Sequence, residues 1–361
     1  VQHCLTLPSC CRDKTYTLDA DFALGTLVNL NYTNVHNQLQ LTPVACPPPY
    51  VYIACSQRGT AVRIDVNTGT VLGEYLTSPN GMGRNPSRTT VDKYGNCWVA
   101  NRDEFGLLAG QPKGSVVRIG LIIGGTRCDA NGNPNPLGQY LKPPFTYSTC
   151  ADRDGDGLIK TSRGLGDILS WSNAGSADSA GGVSTAEDEC ITVYTRVNGA
   201  GTRFLAIDCD NNVWTGGLND ADFQKLDGFT GLPLPAFDFN IGCGGYGGLI
   251  DGYGTLWSSY NLMRYVPSTS SGACPPISGY GMGIDPRNCH IFLSSGWAQN
   301  GNQTGLLELD SAGNVVNAYP AISYGMGLCV DAKGHVWVAQ GTQVAHLAPS
   351  GPGHILVGYV G

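Results

Sequence analysis

The sequence contains few charged residues and no long apolar segment. Only 14% of its 361 residues are Asp, Glu, Lys or Arg, whereas ordinary soluble proteins have roughly 25%. The formal net charge is −7 and no basic stripe is present, which argues against a nucleic-acid partner. No apolar run approaches the roughly 20 residues that a membrane-spanning helix needs. The six histidines are dispersed, and GxSxG, HExxH and P-loop motifs are absent from the sequence, so no common hydrolase, zinc-protease or nucleotide site is indicated.

Glycine and cysteine are abundant instead. The 51 glycines and 42% hydrophobic residues are typical of a turn-rich, all-β protein. The 14 cysteines show no zinc-site spacing, and their even number predicts up to seven disulfides in an oxidising compartment. The chain begins at Val1 rather than Met, as a mature product would after removal of a signal peptide. These features predict a secreted or cell-surface protein.

A short pattern, Asp-x-x-Gly-x-apolar-Trp, recurs along the chain. Its copies begin at Asp92, Asp208 (with Asn for Gly), Asp251 and Asp331 and end at Trp98, Trp214, Trp257 and Trp337, and a degenerate copy covers 285–292 with Phe for Trp. Apolar runs flank each copy, so each copy predicts a β-hairpin. We expect the repeated tryptophans to pack in the core.

A third β-prone run follows in six places, at 61–65, 115–119, 223–227, 262–265, 306–310 and 344–347, and a fourth often closes the unit. Four antiparallel strands at roughly 35–45-residue spacing are typical of a β-propeller blade. The sequence therefore predicts an all-β, six-bladed β-propeller with four-stranded antiparallel blades, and seven blades are the alternative. Residues 38–361 would form the propeller, with blade 1 at 38–76 and residues 50–55 as its second strand.

The distance from Asp92 to Asp208 is too long for one blade, so we expect blade 2 to carry an insertion at 128–200. This insertion contains the first half of an EF-hand-type calcium loop. Asp152, Asp154 and Asp156 place carboxylates at alternate positions, Gly157 permits the sharp turn, and the Leu158 carbonyl would supply a further oxygen.

The second half of the loop departs from that pattern, because its twelfth position is Arg163. The missing acid would be Asp167, or one of Glu187, Asp188 and Glu189 brought close by a Cys150–Cys190 disulfide. Hard oxygen ligands without nearby His or thiol favour calcium over a transition metal. Calcium in a structural role is therefore expected, and a solvated Asp/Gly turn is the alternative.

The repeated hairpins resemble those of NHL-repeat and virginiamycin B lyase-like propellers over most of the chain. For the lyases, this resemblance implies a His–Glu–His cluster on late blades that holds magnesium and supplies the base. No Glu lies between His335 and His354, and Glu308 stands alone in the sequence. The segment 152–162 also resembles insertions in secreted bacterial propellers of unassigned function.

Residues 1–37 form an N-terminal extension with Cys4, Cys10, Cys11 and a β-prone run at 25–31 that has no place in a six-blade count. The run either packs on its own propeller or adds as a strand to a neighbouring molecule. Head-to-tail addition would build an extracellular filament or surface layer. We therefore expect a non-enzymatic structural or binding propeller. The alternatives are a metal-dependent lyase or hydrolase-like enzyme with an axial site, and a glycan- or peptide-binding module.

Several surface features accompany these alternatives. Asn31 and Asn302 begin Asn-x-Thr triplets and are candidate glycosylation sites. Trp171 and Trp297 fall outside the repeat and, with Tyr260, are candidate surface aromatics for glycan or peptide contact.

Overall fold

The computed structural model describes residues 17–23, 27, 30–33, 35–41, 48–102, 113–172, 182–298, 303–351 and 353–360. The helices in these ranges are α1 (Asp19–Phe22) and three 3-10 turns (Ser56–Arg58, Gly182–Thr185, Pro267–Thr269). None of them has the length and apolar character needed to cross a lipid bilayer. Because these helices are so short, the regular secondary structure of the described ranges consists almost entirely of β-strands.

The described part of the N-terminal extension pairs within its own chain. Strands β1 (Leu30–Asn31) and β2 (Gln40–Leu41) form an antiparallel pair. The Asp19 side chain accepts a hydrogen bond from the backbone N–H of Asn37 at 2.7 Å, which joins α1 to the turn between these strands. The predicted run at 25–31 is described only in part, and Cys4, Cys10 and Cys11 lie outside the described residues. Both alternatives for this extension stay open.

Seven antiparallel sheets follow in the described residues, and one of them lies within the insertion. The other six are named blades 1 to 6 in chain order. Blade 1 contains β3 (Tyr50–Cys55), β4 (Thr60–Asp65) and β5 (Val71–Leu76). Blade 2 contains β6 (Pro86–Val91), β7 (Cys97–Asn101), β8 (Ser115–Ile119) and β12 (Ile191–Arg196). The insertion between β8 and β12 contains β9 (Ile122–Cys128), β10 (Tyr140–Ser148) and β11 (Ile159–Lys160). Blade 3 contains β13 (Thr202–Ile207), β14 (Val213–Gly217), β15 (Asp222–Leu226) and β16 (Pro233–Asn240).

The last three blades repeat the same hairpin order. Blade 4 contains β17 (Gly248–Ile250), β18 (Leu256–Ser258), β20 (Met263–Val266) and β21 (Ser271–Ala273). Blade 5 contains β23 (Met282–Ile284), β24 (Ile291–Ala298), β25 (Gln303–Leu309) and β26 (Val315–Tyr319), and β19 (Tyr260–Asn261) and β22 (Ile277–Gly279) extend it. Blade 6 contains β27 (Gly325–Val330), β28 (Val336–Gln340), β29 (Gln343–Ser350) and β30 (Gly353–Val360).

The first strands of successive blades contact one another, from β6 through β13, β17 and β23 to β27. This arrangement, with four-stranded antiparallel sheets around an axis, is the predicted β-propeller architecture. Blade 1 shows three strands, and residues 42–47, within the region expected to hold its first strand, lie outside the described residues. The total of six blades therefore stays a prediction.

The repeated Asp and Trp bind each other. In blade 4, one carboxylate oxygen of Asp251 accepts the backbone N–H groups of Tyr253 and Thr255, and the other accepts the Trp257 indole N–H at 2.8 Å. The Asp92–Trp98 and Asp208–Trp214 pairs make the same indole bond at 3.0 Å. The motif thus closes the hairpin turn and satisfies the polar atom of a buried indole, because a buried N–H without a partner is costly.

Each of these indoles also lies under a cation from the third strand of its blade. Arg118, Lys225 and Arg264 are paired across the sheet with Trp98, Trp214 and Trp257, and their charged groups lie 5.3–5.6 Å from the indole centroids. His346 stacks on Trp337 in blade 6 at 3.9 Å. Blade 5 instead pairs Phe292 with Glu308, which reverses the charge at this position.

The insertion packs closely on the propeller. Because β12 pairs with β8, the insertion occupies residues 120–190, and the expected bounds of 128–200 wrongly included a blade strand. Trp171 is fully buried and donates its indole N–H to the Gly182 carbonyl at 3.0 Å. The expectation that Trp171 is a surface aromatic is therefore wrong, because the insertion shares a core with blades 1 and 2.

The structure also limits the number of disulfides. It contains the Cys150–Cys190 and Cys243–Cys274 disulfides, and Cys209 and Cys289 are disulfide-bonded as well. Cys55, Cys97, Cys128 and Cys329 are free thiols. Since four of the 14 cysteines are free, at most five disulfides form, and the expected maximum of seven was too high.

Candidate functional site

The insertion brings three aspartates to one point. Ligand oxygens of Asp152, Asp154 and Asp156 lie within 4.8 Å of one another, and all three side chains are exposed. Asp152 accepts the N–H groups of Gly155 and Gly157, and both glycines have positive φ angles, which a side chain at these turns would disfavour. None of the three aspartates forms an ion pair with the described residues, so a bound cation would neutralise their mutual repulsion.

Glu189 holds the two ends of this loop together by hydrogen bonds. Its two carboxylate oxygens accept the backbone N–H groups of Arg153 at 2.7 Å and Lys160 at 2.8 Å, which lie at the two ends of the loop. The adjacent Cys150–Cys190 disulfide fixes the same two chain segments. The Leu158 side chain is buried below the loop. This set of carboxylate oxygens and a rigid turn fits a calcium ion.

The other candidate ligands point elsewhere. Asp188 is buried and accepts the N–H groups of Ser162 and Cys190, and burial raises its pKa to about 6. Asp167 accepts a hydrogen bond from the Gln139 side chain at 2.7 Å and pairs with Arg163. The structure does not group either carboxylate with the three aspartates, and their roles as ligands stay predictions.

Removal of calcium is expected to destabilise the protein through this loop. At a free calcium concentration one hundred times the Kd, binding to the folded state contributes about 2.7 kcal/mol. EDTA should therefore lower the Tm of the wild type in scanning calorimetry. Asp154→Asn should reduce that difference, because it removes one of the three negative charges from the cation site. The loop itself should survive, because an amide oxygen can still accept the single loop N–H that Asp154 binds, from Asp156 at 3.2 Å.

Asp129→Asn provides the matched control. Asp129 organises a similar turn by accepting the N–H groups of Asn131 and Asn133, but without two further carboxylates. In this variant, EDTA should lower the Tm by as much as it does in the wild type. Identical Tm values for the wild type with calcium and with EDTA would contradict a calcium site.

A second candidate site is a funnel on the propeller axis. A cavity of about 340 Å³ lies where the first strands converge. Every blade contributes to its lining, including Ser56, Arg88, Arg203, Tyr246, Tyr280 and Met326. The guanidinium groups of Arg88 and Arg203 lie 5.0 and 4.8 Å from the centroid of the Tyr246 ring. Among the described residues that line this funnel, none is His, Asp or Glu.

Glu308 stands alone in the sequence, but in the structure it has several partners. It is fully buried, and its carboxylate lies 2.7 Å from His290 Nδ1 and accepts hydrogen bonds from Asn317 and Tyr319. His354 of blade 6 lies between Glu308 and Asp285. Its Nδ1 atom is 3.5 Å from the Glu308 carboxylate, and its Nε2 atom is 3.5 Å from the Asp285 carboxylate. The two histidines and two acids therefore join blades 5 and 6 in the interior. These four residues lie away from the funnel. Met282, at the first end of β23, lines the funnel, whereas Asp285 follows the other end of this strand.

The charges in this cluster shift the pKa values of its members. Burial alone would raise the pKa of Glu308, but the His290 and Asn317 side chains that bond to its carboxylate, with the nearby His354 ring, lower it well below the usual range. Burial would lower the pKa of His354, but the neighbouring Glu308 carboxylate raises it. Each partner therefore favours the charged form of the other.

The remaining candidates are separate from these sites. Trp297 and Tyr260 are exposed, at 46% and 54%. Asn31 is partly buried in β1, opposite Gln40. Asn302 lies outside the described residues, and glycosylation at either asparagine stays a prediction.

Comparison with known proteins gives likenesses of fold at low identity. No protein-family model matches the sequence, and a search of curated proteins found no match. An inactive variant of virginiamycin B lyase from Staphylococcus aureus with quinupristin is 11% identical with a TM-score of 0.49, covering 86% of this chain and 83% of that one. A streptogramin B lyase is 10% identical with a TM-score of 0.47, covering 83% and 76%. A functionally unknown protein from Desulfotomaculum acetoxidans is 11% identical with a TM-score of 0.47, covering 86% and 78%.

Proposed function

We propose that this chain is a non-enzymatic structural protein of the cell exterior that self-associates by strand addition to blade 6. The observation that carries this proposal is the outer edge of β30. This strand is eight residues long, has β29 as its neighbour on one side, and ends its sheet on the other. It contains no proline, Asp, Glu, Lys or Arg, and five apolar residues are exposed: Ile355, Leu356, Val357, Tyr359 and Val360.

The outer edges of blades 2 to 5 are shorter, more buried or interrupted by proline and charge. Strand β16 carries Pro233, Pro235 and Asp238, β21 has only three residues, and β26 has five. Most of β12 is buried. Proline, charge, short length and burial are the usual means by which proteins block edge-to-edge pairing. Strand β30 has none of these features, so among the outer edges of blades 2 to 6 it is the one best suited to accept another strand.

The proposed occupant is the N-terminal run at 25–31 of a second copy. Its sequence, Gly-Thr-Leu-Val-Asn-Leu-Asn, places apolar residues at 27, 28 and 30 and contains no charge. Backbone pairing would supply affinity, and the alternating side chains would fix the register. Because donor and acceptor are different surfaces, the contact does not close on itself and builds a linear polymer. The adjacent Cys10 and Cys11 offer a crosslink along it.

Two further observations support a structural role outside the cell. The disulfides Cys150–Cys190 and Cys243–Cys274 suit an oxidising compartment. The described lining of the axial funnel lacks the His and carboxylate groups that a metal-dependent lyase would need there. The buried cluster around Glu308 does not replace them, since the side chains of Glu308 and His354 are fully buried.

A charge on the edge of β30 should block assembly. We expect Val357→Lys to weaken association at least tenfold, about 1.4 kcal/mol, because pairing would bury an ammonium group beside an apolar strand. Light scattering after size exclusion measures the change. Val316→Lys, on the exposed outer strand of blade 5, is the matched control and should leave association unchanged.

Deletion of residues 1–37 tests the donor side. The truncated chain should remain monomeric while still accepting a synthetic peptide of residues 25–31. If the deletion leaves the assembly state unchanged, the N-terminal run is not the donor.

A further inference from the structure

The axial funnel presents an accessible guanidinium group. Arg88 is half-buried in the lining, and its side chain makes no hydrogen bond or ion pair within the described residues. Its recorded contact is with the Tyr246 ring. A Cβ at Gly247 would lie 3.3 Å from the Arg88 guanidinium, so glycine leaves room for the side chain to reach the funnel. The positive group is thus directed to the axis without an acidic partner among the described residues.

Tyrosines surround this charge. Tyr246 lies 4.8 Å from Tyr280 and 6.2 Å from Tyr260, measured between ring centroids. Tyr260 is 54% exposed and has a φ angle of +85°, a conformation that non-glycine residues rarely adopt. Such backbone strain is concentrated at ligand sites, where the surrounding structure maintains it. The funnel lining therefore combines a cation with the rings of Tyr246 and Tyr280, and the exposed Tyr260 ring lies beside Tyr246.

We propose that the funnel binds an anionic saccharide, a sugar ring that carries a carboxylate or sulfate. The planar fork of Arg88 matches two oxygens of such an anion. The Tyr280 ring in the lining, and the exposed Tyr260 ring next to Tyr246, suit the C–H face of a sugar ring. The Ser87 hydroxyl in the lining suits the hydroxyl groups of the sugar. A cavity of about 340 Å³ is large enough for a small ligand of this kind.

The site is independent of the blade 6 edge. Most of the funnel residues come from the first strands and the loops before them, whereas β30 is the outermost strand of its sheet. Binding is therefore measured in the Val357→Lys variant as well as in the wild type. Failure of self-association and failure of this inference are thereby distinguishable.

Isothermal titration calorimetry with digalacturonic acid tests the inference, with maltose and sodium sulfate as comparison ligands. The wild type should bind digalacturonic acid at least tenfold more tightly than either comparison ligand. Arg88→Ala should weaken that binding at least tenfold, and Arg88→Lys should weaken it less, because the charge remains. Arg264→Ala removes an arginine that lies on a Trp ring outside the funnel and should change the Kd less than twofold.

Absence of wild-type binding, or equal binding of maltose, overturns the inference. Equal binding of sulfate overturns its saccharide part and leaves a bare anion site. Should Arg88→Ala fail to fold, Arg88→Lys decides, and wild-type affinity in that variant would exclude recognition by the guanidinium fork.

Discussion

Replacing Glu308 by glutamine is expected to lower the free energy of unfolding by about 3–5 kcal/mol, the usual cost of removing one partner from a buried ion pair. The substitution leaves the His354 ring buried beside Asp285 without its second acid, and it weakens the bonds from His290 and Tyr319. Urea unfolding followed by tryptophan fluorescence measures this change. The loss should appear first as separation of blades 5 and 6, because Glu308 belongs to one and His354 to the other.

The same pair should make stability depend on pH. Glu308 has a lowered pKa in the folded state, so its contribution is complete above its ordinary pKa of 4.5 and is lost as the pH falls through the folded value. His354 has a raised pKa, so its contribution is complete below its ordinary pKa of 6.5 and is lost as the pH rises through the folded value. The difference between wild type and Glu308→Gln should therefore be largest between about pH 4.5 and 6.5.

Glu187→Gln is the matched control for this prediction. Glu187 also pairs with a cation, Lys160 at 2.7 Å, but its side chain is 46% exposed. Exposed ion pairs contribute about 1 kcal/mol or less. Equal losses from the two substitutions would show that the buried cluster does not join the blades as described.

Asp251→Ala is expected to cost about 3–4 kcal/mol, because it removes three hydrogen bonds to one buried carboxylate and each charged bond contributes about 1.5–3 kcal/mol before relaxation. The Trp257 indole N–H would remain buried without an acceptor. Near-ultraviolet circular dichroism should report loosened packing around this ring. The measurement tests whether the recurring Asp stabilises the hairpin and the core together.

Asp310→Ala separates these two roles. Asp310 closes the β25–β26 turn by accepting the N–H groups of Ala312 and Asn314, and no indole N–H in the described part of the chain bonds to it. This variant should cost about 1 kcal/mol, as for an ordinary turn or cap. A loss as large as that of Asp251→Ala would show that turn closure alone accounts for the repeat.

Local sequence pattern was sufficient to predict the blades. The Asp-to-Trp spacing specifies a hairpin turn and a buried ring, and these are short-range contacts along the chain. Trp98, Trp214 and Trp257 are accordingly buried as predicted, whereas Trp337 is only half-buried. The six third-strand runs all coincide with observed strands, from β4 to β29.

Contacts between distant segments could not be predicted in this way. His354 lies 46 residues after Glu308 in the sequence, and only the packing of blade 6 on blade 5 brings them together. A signal was nevertheless present, because the repeat places Phe292 and Glu308 where other blades have an aromatic residue and a cation. Trp171 was misplaced for a related reason, since periodicity within the insertion does not reveal that it packs on the propeller.

The funnel shows a different limit. Its lining comes from all of the blades described above, with one or a few residues from each, so no segment of the sequence contains the site. The calcium loop is the opposite case, because Asp152, Asp154 and Asp156 are neighbours in the sequence and the structure brings their oxygens together. The remaining acidic ligand would come from a distant part of the sequence. The sequence therefore predicted only a set of candidates for it, Asp167, Glu187, Asp188 and Glu189.

Negative-stain electron microscopy of the wild type is the most direct test of self-association, with EDTA and reductant applied in separate preparations. The proposed function predicts linear polymers that are absent from Val357→Lys and present in Val316→Lys. Loss of polymers in EDTA or in reductant would identify calcium or disulfides as part of the contact. Discrete single propellers in every preparation would contradict the account.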